Sequence, residues 1–343
     1  MKKLLTVILL SLSGVIMAQS STNPGEYMDY FSSEYLLIQE DMWDYTRSVS
    51  HGRSARTVEK RRGELIASTG AALKRAKNAK DYQGNARYRD SVVQYFTLID
   101  LVLREDYAKI VDMEAVAEQS YDDMEAYMTA REMASDKLRA AGDMIDREHR
   151  TFAEANNITI IESETKLNQK MEIANKVYDH YNAVYLIFFK SYKQEVYLLD
   201  AMARKDVSAI DQNRNSLIAL VEEGLQKLET VEKYEGDPSM IGATRNLFKF
   251  YKEEAETDVP TLLAYIETSE RFTKIKDAFD QKKEKSRTQA DVDEFNAAVN
   301  DINKAAEQSN ASSESCNSKR SNLIDEWNKT AEKFTDHHVP KGK

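Results

Sequence analysis

The segment from Arg62 to Asp106 recurs without a gap 152 residues further on, as Arg214 to Asp258. Identities fall at Arg62/Arg214, Leu65/Leu217, Ile66/Ile218, Ala67/Ala219, Leu73/Leu225, Tyr82/Tyr234, Gly84/Gly236, Phe96/Phe248 and Asp106/Asp258. They lie on apolar seams, at one turn and at one pair of opposite charges. A seam–turn–seam unit written twice has to build the same helical hairpin twice. The spacing therefore predicts an all-α chain of two tandem, duplicated, antiparallel four-helix-bundle-like units. Only 11 Gly and four Pro occur among 343 residues, with 48 basic and 58 acidic side chains, which favours long solvated helices over sheet.

Along the chain, Lys2 and Lys3 precede an apolar run from Leu4 to Met17 and a small residue, Ala18, which reads as a signal peptide over 1–18. That run is too short to span a bilayer, and the mature chain carries no second one. The first bundle is expected over 24–156. Phe31, Tyr35, Ile38, Met42, Tyr45 and Val49 form one stripe, and Val92, Phe96, Ile99 and Leu103 another. Gly84 and Gly236 are expected to close a helix in left-handed backbone. Asn156-Asn157 and the Ile158–Ile161 run mark a linker at 157–163, and the second bundle follows over 164–338. Setting Phe334 against Phe152 adds 30 residues to the second unit, expected as a long helical hairpin near 260–335 with its tip at Lys282 to Arg287.

Arg62 and Asp106 each lie 22 residues from Gly84, and Arg214 and Asp258 lie equally far from Gly236. Equal distances from a turn place two residues level across a hairpin, so an interhelical Arg–Asp pair is expected in each unit. Such a pair fixes register or, with a spare guanidinium edge, holds an anion. Cationic candidates for partner binding are Arg53, Arg56 and Arg61 on the basic second helix and Lys282, Lys283, Lys285 and Arg287 at the hairpin tip. The alternative for the basic helix is pairing with its acidic neighbours. The aromatic seam Tyr178, Tyr181, Tyr185, Phe188, Tyr192 either lines a cavity or is core. No catalytic, haem, zinc or di-iron motif is present, so no catalytic residue, metal or cofactor is expected; Asp146-x-x-His149 is a weak ligand signal. Cys316 has no partner for an internal disulfide and sits among small polar residues on a core seam.

Several stretches resemble a family of exported surface proteins of Gram-negative bacteria: Met42-Trp43-Asp44-Tyr45, His51-Gly52-Arg53-Ser54-Ala55-Arg56, Glu59-Lys60-Arg61-Arg62, Glu105-Asp106-Tyr107-Ala108-Lys109-Ile110-Val111-Asp112-Met113-Glu114, Val184-Tyr185-Leu186-Ile187-Phe188-Phe189-Lys190-Ser191-Tyr192-Lys193-Gln194-Glu195 and Trp327-Asn328-Lys329-Thr330. The resemblance implies an all-helical envelope protein, in the periplasm or on the cell surface, with no activity or cofactor to carry over. The expectation is a non-enzymatic protein that binds a protein or glycan partner. The alternative is a small-ligand or metal carrier with a cavity in a bundle core, near Tyr178 to Tyr192 or near His149. An acidic exported chain is a poor binder of nucleic acid.

Overall fold

The computed structural model describes residues 23–52, 54–161 and 165–342, so the expected leader at 1–18 and Arg53 lie outside the described residues. Among the described residues every named element is helical and the protein is all-α. No helix among them is long and apolar enough to cross a membrane. The chain divides into two compact units: Met1–His180 with Glu332–Lys343, and Tyr181–Ala331.

The first unit opens with α1 (Pro24–Ser50), whose cap residue Asn23 accepts from the Gly25 amide at 2.8 Å. Pro24 takes the first helical position, where its missing N–H costs nothing. α2 (Ala55–Asn78) starts on Ser54, whose hydroxyl accepts from Thr57. α3 (Arg87–Leu101) then runs into a π-turn at Val102–Asp106 and α4 (Tyr107–Ala117). Ser120 caps α5 (Tyr121–Ala155) through the Asp123 amide at 3.0 Å. Tyr27, Phe31, Leu65, Ala72, Val92 and Phe96 form the core where these helices meet. Burying a large apolar side chain contributes about 1.5–3 kcal/mol, which is why these stripes face inward.

The second unit contains α7 (Val207–Thr230), α8 (Ser239–Glu253) and a π-turn at Glu254–Asp258. Each stands 152 residues from α2, α3 and the first π-turn, at both its ends. Pro260 opens α9 (Val259–Gln281), and α10 (Gln289–His338) returns from a short 3-10 turn at Glu284–Ser286. The hairpin turn therefore falls where the charged tip was expected.

Two expectations need correction. Gly84 (φ 80) and Gly236 (φ 85) do not close a helix, because α2 ends at Asn78 and α7 at Thr230. Each is instead the second central residue of a tight turn whose first, Gln83 (φ 52) or Glu235 (φ 47), is also left-handed. Asn85 N–H donates to the Tyr82 carbonyl at 2.9 Å and Asp237 N–H to that of Tyr234 at 2.8 Å, the pattern of a type I′ turn. The division between units also lies away from 157–163. α6 (Lys166–Arg204) is one helix from end to end, because buried Ala174, Val177, Val184 and Phe188 keep helical spacing through His180. Residues from Glu332 onward belong to the first unit, where His51 Nδ1 lies 3.0 Å from Asp336 and Trp43 donates to the Gly342 carbonyl at 3.1 Å.

Candidate functional site

In the first unit α1, α3 and α5 leave between them a pocket of about 60 Å³, open on one side. Its walls are aromatic, formed by Phe31, Tyr35, Tyr88, Tyr95 and Phe96. They stand there because the α1 and α3 stripes that build the core continue to this point. α5 supplies Asp146 and His149, together with Gly142, whose missing side chain leaves the space open: a Cβ built there meets nothing within 4 Å. The polar groups are arranged in a definite order. The Tyr88 hydroxyl lies 2.7 Å from His149 Nδ1, while His149 Nε2 is buried without a hydrogen-bond partner. Burial lowers the His149 pKa to about 4, so the ring is uncharged at neutral pH. Burial also raises the Tyr88 and Tyr95 hydroxyls well above their ordinary value and pushes Tyr35 up to about 12. Gln39 Nε2 donates to the Tyr35 hydroxyl at 2.7 Å. Asp146 is the one formally charged side chain on the wall, and its Oδ2 accepts from Arg150 Nε at 3.2 Å. Among the described residues no three His, Cys, Asp or Glu side chains are grouped to hold a metal ion.

The second unit buries a different constellation. Glu195 on α6 and Glu254 at the start of the π-turn are 1% and 0% exposed, and both accept hydrogen bonds from the Arg320 guanidinium on α10. Cys316, one turn before Arg320, lies 3.5 Å from Glu254 Oε1. Two carboxylates facing one guanidinium leave one negative charge uncompensated, and the buried site answers by retaining a proton. Burial and the neighbouring Glu254 carboxylate push Glu195 up, and burial raises Glu254 as well. Burial also pushes the Cys316 thiol up, which makes it a packed, unreactive group. The residues 152 positions before Glu254 and 182 before Cys316 and Arg320 are Val102, Ala134 and Leu138, and all three belong to one apolar cluster of the first unit. The second unit thus has an ionic layer where the first has a hydrocarbon one. Helical spacing placed Cys316 on a seam but gave no sign of the layer, since its carboxylates come from two other elements.

The expected Arg–Asp pairs do not form. Arg62 makes a two-pronged bond to Glu59 at 2.8 and 2.9 Å, and Asp106 accepts from Lys137 at 2.6 Å. Asp258 accepts from the Ser312 hydroxyl, and Arg214 Nε donates to the Ala255 carbonyl at 2.7 Å. One reason is where the chain turns. Five non-helical residues separate α2 from Gly84 but only two separate Gly84 from α3, with the same offsets around Gly236, so equal counts from the glycine are not level. The π-turn is another. Counting residues from a turn assumes both arms climb as α-helix, whereas a π-turn carries an extra residue and rotates the helix beyond it. In the second unit Val259 N–H bonds Glu254 O, five residues back, and Pro260 has no N–H. The Ala255 carbonyl is left without its usual donor, and the Arg214 guanidinium fills the gap.

Among the described residues the cationic candidates divide evenly between three held by neighbours (Arg61, Lys282, Arg287) and three that are exposed (Arg56, Lys283, Lys285). Arg61 bonds Glu64 at 2.8 Å and lies 3.4 Å from Asp44, and Arg75 pairs with Glu34. Arg56 is exposed. At the hairpin tip Lys282 bonds Asp291, and Arg287 stacks 4.1 Å over Phe279, so these two hold the turn while Lys283 and Lys285 stand exposed. The aromatic seam of α6 packs as core. Phe188 stacks on Trp327 at 4.1 Å, Tyr185 on Phe189 at 5.7 Å, and Trp327 donates to Thr244 at 2.9 Å.

Fold and site together define an all-α protein of bundled helices with an aromatic pocket in one unit and a buried ionic layer in the other. No protein-family model matches this chain, and no curated protein or solved structure matches it.

Proposed function

We propose that the chain is an exported, non-enzymatic binding protein of the bacterial envelope that carries a small molecule in the pocket of its first unit. One observation carries this reading: an aromatic-walled opening contains a buried, uncharged histidine whose Nε2 has no partner. A buried polar atom without a hydrogen bond is costly, by about 1–3 kcal/mol, and a ligand that satisfies it recovers that free energy. The apolar leader and the resemblance to exported surface proteins support the location. Native mass spectrometry of the protein from its own exported fraction tests the reading. The expected spectrum has an extra mass that leaves on unfolding and is missing from Gly142→Leu, which fills the pocket from a position with open space around it. A bare mass for the native chain overturns it.

A second reading, docking of a protein or glycan partner through the hairpin tip, is favoured by the exposed Lys283 and Lys285 on the 3-10 turn. It predicts that a crosslinked partner is lost when 282–287 are replaced by a short glycine linker. An unchanged crosslink removes this reading.

A further inference from the structure

We propose that the pocket of the first unit takes the head group of a small primary alkylammonium ion, with the alkyl tail leaving through the open side. The inference rests on the carrier function proposed for this pocket and names its ligand class. Three features of the wall point the same way. No lysine or arginine lines it, its one formal charge is the Asp146 carboxylate, and five of its side chains are aromatic. Aromatic rings attract cations through their negative faces, most strongly where water is excluded. The histidine, which would repel a cation if protonated, is kept neutral by burial.

Size restricts the class further. A pocket of about 60 Å³ is under half the roughly 150 Å³ of an apolar cavity that encloses benzene, so an aromatic ring or a trimethylammonium group is too large to be enclosed. A terminal CH₂–NH₃⁺ group is compact, and its three N–H donors need acceptors. Asp146 offers one, since its side chain is 16% exposed and lines the pocket, with Arg150 Nε bonded to its Oδ2 at 3.2 Å. His149 Nε2 offers a second when Nδ1 carries the ring proton toward the Tyr88 hydroxyl, 2.7 Å away. An anion would meet the carboxylate with no cation on the wall, and an uncharged alcohol would leave the aromatic faces without a positive partner.

The test compares n-butylammonium chloride with 1-butanol by titration calorimetry at pH 7, on the full chain and two variants. The native chain is expected to bind n-butylammonium at least tenfold more tightly than 1-butanol, with a shift of the His149 Nε2 resonance in the ¹⁵N spectrum. Asp146→Asn is expected to weaken n-butylammonium at least tenfold while leaving 1-butanol unchanged, and Gly142→Leu to abolish both, each variant keeping the native circular dichroism. Equal affinity for the two compounds, or an Asp146→Asn chain that binds n-butylammonium like the native one, overturns the ammonium assignment. Those results leave the carrier reading standing, because that reading falls only if the exported protein retains no mass of its own.

Discussion

Glu195 and Glu254 depend on a single guanidinium, and the consequence is a definite pH dependence. The folded state holds Glu195 up at about 8, whereas an unfolded glutamate titrates near 4.3. Between those values the folded chain binds a proton that the unfolded chain has released, so stability falls as pH rises through this window. The contribution is fully present below the unfolded value and lost above about 8. Glu195→Gln, which cannot ionise, is expected to flatten the midpoint of thermal unfolding between pH 5 and pH 8 and to raise it at pH 8. A native-like slope in that variant would place the retained proton elsewhere. The same residues predict an asymmetry between single and combined changes. Arg320→Leu alone leaves two buried carboxylates and is expected to destabilise by about 3–5 kcal/mol. Combined with Glu195→Leu and Glu254→Val, it copies the hydrocarbon layer of Val102 and Leu138 in the first unit, and urea titration should find stability restored to within about 1–2 kcal/mol of native.

At the level of the element, two helix-interior glycines differ in what surrounds them. A Cβ on Gly224 of α7 would lie 2.4 Å from Phe248 Cε2, while one on Gly142 of α5 meets nothing within 4 Å. Gly→Ala in a helix gains about 0.8–1 kcal/mol from reduced backbone freedom. Gly142→Ala is expected to show that gain, whereas at Gly224 overpacking against a fixed ring costs about 1–3 kcal/mol and reverses the sign. Chemical denaturation of the two variants reads both signs directly. The π-turns matter at this scale too. Helix existence and the hairpin tip were legible because apolar periodicity acts locally, along one face of each helix. The extra residue in each π-turn has no such signature, and neither has the off-centre place of Gly84 and Gly236 between their helices, so the Arg–Asp pairs expected from counting do not form.

Across the whole molecule, each unit holds one of the two tryptophans: Trp43, 2% exposed in the first, and Trp327, 3% exposed in the second. Two compact units need not unfold together, and a chain built from them departs from two-state behaviour. Urea titration of Trp43→Phe and Trp327→Phe should therefore resolve two midpoints. Raising the pH from 5 to 8 should lower the midpoint reported by Trp327 more than the one reported by Trp43, because the ionic layer belongs to the second unit. Coincident midpoints that move together would contradict this assignment. The sequence by itself determined the all-α class, the 152-residue recurrence of helix ends, the position of the hairpin turn and the core identity of residues such as Phe96 and Phe248. These arise from periodicity and local hydrogen bonding, which nearest neighbours along the chain decide. Only the tertiary structure decided that Glu195, Glu254 and Arg320 meet, that Glu332 onward belongs with the first unit, and that Gly142 opens a pocket beside His149. Those outcomes depend on which side chains from distant helices share a volume, and no spacing along one strand of sequence encodes that directly.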